Sequence, residues 1–145
     1  MIPLLSGLQS TSSALEAERI RMEVISQNIA NANTTRGPDG KAYQRQEVVF
    51  ETVLNRQLQG PGGLDAGGKS VFVSRITKDP NPARLIYNPG HPDANPQGMV
   101  AMPNINVHEE MVDMIAASRS FEANLAVVKN ARSMAMQTLT IGKRA

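Results

Sequence analysis

The chain has no cysteine and no tryptophan, and five aromatic side chains in 145 residues. Without a thiol it has no disulfide framework, thiolate nucleophile, zinc ribbon or iron–sulfur ligand set. With so few aromatics, a deep core has to be filled by Ala, Leu, Ile, Val and the eight Met. No stretch approaches the roughly 20 apolar residues that span a bilayer. The first 30 residues carry Glu16, Glu18 and Glu23 and lack the basic lead and apolar run of a secretory signal, so any export is expected to proceed without a cleaved signal. A basic stripe is missing too. Residues 1–32 carry two positive and three negative charges, 33–105 eight and six, and 106–145 five and four. That even distribution excludes a phosphate-tracking surface, and no nucleic acid is expected as a partner.

What is present falls into three segments, 1–32, 33–105 and 106–145. In the first, the only Pro and Gly are Pro3 and Gly7. Apolar residues recur at seven-residue steps (Met1, Leu8, Leu15, Met22, Ile29), beside a second row of Leu4, Thr11, Glu18, Ile25 and Ala32. This pattern predicts one long helix, with Pro3 tolerated in its first turn. The third segment has neither Pro nor Gly from Asn106 to Ile141, and Met111, Met114, Phe121, Leu125, Val128, Ala135 and Leu139 form a stripe at three- and four-residue steps. Asn106 followed by Glu109 has the form of a capping box. Pro103 upstream and Gly142, Lys143 and Arg144 at the far end suit a helix start and stop.

The middle segment holds every proline except Pro3 and nine of the eleven glycines, so it is not a long helix. Gln46–Thr52 and Lys69–Thr77 are rich in Val, Phe, Ile and Thr and predict short strands, with Ala83–Tyr87 a third candidate. Six prolines between Pro80 and Pro103 predict an extended path there rather than a packed sheet. The expected fold is therefore mainly α with an inserted β-rich region. Long N- and C-terminal helices pair as a coiled-coil-like arm, and a Pro/Gly-rich loop runs between them. The pairing surface is expected at Leu8, Leu15, Met22, Ile25 and Ile29 on one helix and Met111, Met114, Phe121, Leu125, Val128 and Leu139 on the other. Two narrow stripes bury little against each other, while each ordered backbone residue costs roughly 1–2 kcal/mol. The arm is expected to need neighbouring subunits.

Candidate chemistry is sparse, and no cofactor or metal is expected. His91 and His108 with Glu109, Glu110 and Asp113 do not have a metal-ligand spacing, and carboxylates crowding a helix first turn suit its dipole. Gly60–Gly68 lacks the Lys-Ser or Lys-Thr of a phosphate loop and reads as a flexible connection. Asn33-Thr34-Thr35 has the form of a glycosylation acceptor, but it ends a helix, where Asn and Thr cap and turn the chain. Met111, Met114, Met134 and Met136 read as packing residues. Asn28, Asn31, Asn33 and Thr34 form an amide-rich helix end, expected to act as a joint that fixes how the middle segment leaves the helix. No nucleophile–base constellation emerges, so an enzyme is not expected.

ISQNIANANT, from Ile25 to Thr34, resembles the element that closes the N-terminal helix in bacterial flagellar axial proteins of the rod and hook. NINVHEEMVDMIAASRSFEANLAVVKNARSMAMQTL, from Asn104 to Leu139, is similar to the matching C-terminal helix. GPDGKAYQRQEVVF (Gly37–Phe50) and YNPGHPDA (Tyr87–Ala94) narrow the resemblance to proximal-rod members. It implies a structural subunit of the flagellar basal body that polymerises through its terminal helices into a torque-transmitting shaft. It further implies passage through a type III export apparatus and residence in the periplasmic rod. The implied partners are copies of itself, neighbouring rod proteins and the ring/rod adaptor components, without membrane insertion. A soluble coiled-coil adaptor or export chaperone is the competing reading from the residues.

Overall fold

The computed structural model describes residues 2–54 and 69–142, with side chains from 7 to 52 and from 70 to 142. Six elements follow in chain order: α1 (Ile2–Ala30), β1 (Gln46–Leu54), β2 (Lys69–Lys78), β3 (Arg84–Tyr87), β4 (Met99–Met102) and α2 (Val107–Gly142). The helices at either end with a small strand-rich region between them agree with the sequence pattern. Met1, the Gly60–Gly68 connection, and Lys143 and Arg144 lie outside the described residues, as does the Leu4 side chain. No described helix is long and apolar enough to cross a membrane.

α1 stops where its sequence stops supporting it. After Ala30, the Asn31 and Ala32 amides still reach back to Gln27 O and Ile29 O at 3.0 and 3.3 Å, closing a last turn. Asn31 Nδ2 donates to Gln27 O at 2.9 Å, and the Thr34 hydroxyl donates to Asn31 Oδ1 at 3.2 Å. Side chains thus satisfy groups that a helix end leaves open. α2 begins with Asn106 as its N-cap, whose Oδ1 accepts the His108 amide at 3.2 Å. Glu109, the other half of the expected box, is exposed, while the next residue, Glu110, turns inward and is 1% exposed.

The strands form two separate two-stranded sheets, β1 with β2 and β3 with β4. The second corrects the expectation of an unpaired, extended path through 80–103. β3 and β4 are antiparallel, with Arg84 opposite Met102 and Tyr87 opposite Met99. All six prolines of the region fall outside the two strands, so none removes a ladder donor. Between the strands, Asn95 Oδ1 accepts the amides of Gln97 and Met99 at 3.0 and 2.9 Å. Gly98 has φ +75°, and a Cβ there would lie 2.9 Å from Tyr87 Cε2. Only glycine allows both that backbone and that close approach.

The chain divides into two compact units. One comprises Met1–Ile20, Phe50–Ser74 and Ala117–Ala145; the other comprises Arg21–Val49 and Arg75–Ala116. Each helix contributes to both. In the first unit, Ser120 Oγ donates to Glu18 Oε1 at 3.1 Å, the Val71 amide donates to Ser13 Oγ at 3.2 Å, and Ala17, Ala117 and Ala131 are buried. The core of the second unit is built from Val24, Ile25 and Ala32 of α1 and its final turn, Val100 of β4, and Ile105 just before α2.

A buried polar cluster as the candidate functional site

On the stripe of α1 that carries Ile25 and Ala32 sits an amide, Asn28, that is 1% exposed. An amide placed there has two donors and two acceptor positions to satisfy. All four are used. Nδ2 donates to Gln46 O at 2.9 Å and to Glu110 Oε2 at 3.1 Å. Oδ1 accepts the Gln46 amide at 2.9 Å and the Tyr43 hydroxyl at 3.1 Å. Towards Gln46 the side chain therefore acts as a strand partner, exchanging one donor and one acceptor with the first backbone unit of β1, as a neighbouring peptide would.

Glu110 is the second buried member. Its Oε2 takes the Asn28 bond, and its Oε1 accepts Arg45 Nε at 2.6 Å. Arg45 Nη1 reaches on to Glu47 at the surface. A buried carboxylate is tolerated when it is both paired and hydrogen-bonded, as it is here. Burial, and then the Glu110 charge, push the Tyr43 phenol above its ordinary value. For Arg45, burial works against the charged form, but the hydrogen bond and charge of Glu110, aided by Glu47, outweigh it, and its net shift is upward.

The four residues expected at the helix-end joint take different places. Asn28 is fully engaged inside its own subunit, Asn31 and Thr34 close the helix turn, and Asn33 is exposed. Of the residues expected on the pairing surface, Ile25 is buried, and Leu8, Leu15, Met22, Ile29, Met114, Phe121 and Val128 are half-buried. Met111, Leu125 and Leu139 are exposed, at 50%, 36% and 66%. Tyr43, Arg45 and Gln46 complete the cluster without being marked by the sequence pattern, and Glu110 is marked there only as a first-turn carboxylate. One signal was available for Glu110, which lies four and seven residues before Met114 and Ala117, so that a carboxylate interrupts the apolar stripe.

A second polar assembly closes the loop between β3 and β4 onto the segment that follows α1. Thr35 Oγ1 donates to Asp93 Oδ2 at 2.8 Å, and Arg36 pairs with Asp93 at 3.7 Å. His91 lies on that loop, its Nδ1 accepting the Asp93 amide at 3.1 Å, whereas His108 lies in the first turn of α2. Next to these residues is an open cleft of about 650 Å³, lined among others by Arg36, Tyr43, Arg45, Asp79, Asp93 and Asn104. Four of its charged groups are engaged in holding loops: Asp79 accepts the Asn81 amide at 2.8 Å, and Arg36, Asp93 and Arg45 are paired as described. Among the described residues no group of three His, Asp or Glu is arranged to hold a metal.

Polar side chains that fix the course of the chain, set between two terminal helices that leave apolar residues exposed, define a structural subunit. Comparison with known proteins specifies its kind. A family profile described as flagella basal body rod protein matches residues 8–38, and one described as flagellar basal body rod FlgEFG protein C-terminal matches residues 97–141. The flagellar basal-body rod protein FlgC of Borreliella burgdorferi is 44% identical over 147 residues, covering 95% of this chain and 97% of its own. Proteins of the same name from Bacillus subtilis and Salmonella typhimurium are 40% and 39% identical, over 94% and 97% of this chain and 97% and 98% of theirs. The chain belongs to the FlgC family of flagellar basal-body rod proteins.

Proposed function

We propose that this chain is a structural subunit of the proximal rod, polymerising through its terminal helices into the shaft that carries motor torque. The observation that carries the reading is the outward face of α2. Val127, Met134 and Ile141 recur at seven-residue steps and are 53%, 54% and 70% exposed. A helix that is apolar beyond its own subunit's stripe is built to be covered again. A second copy of the chain and neighbouring rod proteins supply that cover.

In this reading residues 1–32 and 106–145 act together as one rod-core element, a coiled-coil-like arm, and 33–105 is an insertion. Two bonds in the second unit support an antiparallel arrangement, Asn28 to Glu110 at 3.1 Å and Arg21 to Asp113 at 3.9 Å. The capping pair Asn106 and Glu109 marks where the second half of the arm begins. The role is mechanical and not catalytic. The subunit reaches the periplasm through the flagellar type III apparatus and meets the ring/rod adaptor components there.

The test is complementation of a deletion strain. A double Val127→Lys, Met134→Lys variant should be expressed and have the wild-type circular dichroism as a monomer, yet fail to restore swimming. Full restoration would refute the assignment of this face, and a monomer that binds export substrates instead of assembling would favour a chaperone.

A further inference from the structure

We propose that β3 of one copy pairs edge to edge with β1 of a second copy, joining their two-stranded sheets into one four-stranded sheet. This deepens the rod reading and rests on it. It starts from an open strand edge. The Asn88 amide donates to Gly98 O at 2.9 Å, directly beyond the Tyr87–Met99 pair. Backbone groups alternate sides along an antiparallel strand, so those of Arg84 and Ile86 face β4, while the N–H and C=O of Leu85 and Tyr87 point outward. β3 has no second neighbour among the described strands. The outer edge of β4 is finished differently: the Asn95 amide donates to Met99 O and Asn95 Oδ1 accepts the Met99 amide, both at 2.9 Å. All four β3 residues are exposed, Leu85 and Tyr87 at 64% and 70%, whereas Val100 of β4 is buried. Proline, lysine or a bulge commonly guards such an edge, and β3 has none of them. An edge left in this state receives another strand.

The chain carries a complementary edge. Gln46, at the start of β1, turns both backbone groups to the Asn28 amide, which places the groups of Val48 and Phe50 on that same edge. Antiparallel pairing then sets Tyr87 opposite Val48 of the second copy, Ile86 opposite Val49, Leu85 opposite Phe50 and Arg84 opposite Glu51. Outward groups meet outward groups at Leu85–Phe50 and Tyr87–Val48, where the backbone bonds close. Aromatic and β-branched side chains face each other on one side of the new sheet, and Arg84 faces Glu51 on the other. Arg84 and Glu51 are both exposed, and neither has an ion-pair partner among the described residues. Slipping by two residues in either direction sets Ile86 against Glu47 or Glu51, so the apolar and charged pairs select one register.

The edge also allows a two-fold pairing of β3 with β3, centred on Ile86. That contact closes on itself and sets Arg84 against Asn88, with no carboxylate opposite. β3 with β1 uses different surfaces on the two copies, so each added copy leaves a new edge open and the contact repeats along a shaft.

Cross-linking through introduced cysteines tests this in a chain that has none of its own. Ile86 and Val49 of the second copy form a pair without backbone bonds, with Cα atoms about 4.5 Å apart, inside the roughly 4.4–6.8 Å of a disulfide. Deletion cells producing an Ile86→Cys, Val49→Cys chain should swim, and after oxidation with copper–phenanthroline should give a ladder of covalent multimers on a non-reducing gel. Ile86→Cys with Glu47→Cys, about 7–8 Å apart in this register, should give none. Two chains carrying Ile86→Cys and Val49→Cys separately, produced together, should stop at dimers. A second readout needs no cysteine and decides the matter if the double-cysteine chain does not swim. Arg84→Glu and Glu51→Arg should each impair swimming and together restore it, because like charges directly opposite each other repel. A swimming Ile86→Cys, Val49→Cys strain without a ladder would overturn the proposal and leave the rod reading standing. So would a dimer from Ile86→Cys alone, the mark of two-fold pairing, or a charge-reversed double variant no better than the single ones.

Discussion

Replacing Asn28 by Asp changes one NH₂ group to an oxygen and should do far more than its size implies. The amide nitrogen donates at 2.9 Å to Gln46 O and at 3.1 Å to Glu110 Oε2, and a carboxylate can do neither. Gln46 O loses a buried partner, a cost of about 1–3 kcal/mol. Glu110 loses one as well and faces a like charge near 3 Å, where repulsion at an effective dielectric of 20 is about 5 kcal/mol. The pair limits that cost by sharing a proton, so a net loss of about 3–5 kcal/mol at pH 7 is expected, out of the 5–15 kcal/mol that holds a typical domain together. Because proton uptake relieves the folded variant, its deficit should shrink as pH falls and grow as pH rises. Urea unfolding followed by circular dichroism at several pH values measures this. Adding Glu110→Gln should recover about half the loss, since the new amide can donate to the new carboxylate while its oxygen still accepts from Arg45. A single variant within about 0.5 kcal/mol of wild type, or a double variant whose losses simply add, would refute the direct pairing.

Further outcomes follow from the same geometry. Arg45→Met removes the cation from a carboxylate that is 1% exposed and should cost about 3 kcal/mol in urea unfolding, with Arg45→Lys intermediate because it lacks the second donor nitrogen that reaches Glu47; equal stability of all three would contradict the pairing. Gly98→Ala must hold φ near +75° and push a Cβ against the Tyr87 ring, so it should lower thermal stability by about 1–3 kcal/mol, and an unchanged melting temperature would refute the close approach. In a Tyr87→Phe background the remaining phenol, Tyr43, should ionise by ultraviolet titration above the ordinary value of about 10. The sign follows from a folded-state value that is raised: its contribution to stability is complete below the unfolded phenol value and is lost as pH rises through the folded one.

Both long helices are legible in the sequence because their pattern persists over many turns, with no Pro or Gly in α1 after Gly7 and none in α2 before Gly142. β1 and β2 are legible from Val, Phe, Ile and Thr, and β3 from Leu, Ile and Tyr. β4 is not, because Met-Val-Ala-Met carries one β-branched residue and lies between Gly98 and Pro103 in a proline-dense stretch. What decides its pairing is Asn95, whose side chain turns the chain back, and that is a three-dimensional fact. The polar cluster was half legible. Asn28 stood out within an amide-rich helix end, but its partners are 15 to 82 residues away, and one sequence does not say which polar side chain meets which. Glu109 and Glu110 looked alike as first-turn carboxylates suited to the helix dipole. Their different fates depend on one 100° step around α2, which sends Glu110 inward and leaves Glu109 in water.

The central claim, that this chain is a building block of the rod, is tested most directly by electron microscopy of basal bodies from a strain lacking it. Membrane rings without an assembled rod or any filament beyond it are expected, restored by the wild-type chain and not by the Val127→Lys, Met134→Lys variant. Intact rods and normal swimming in the deletion strain would contradict it.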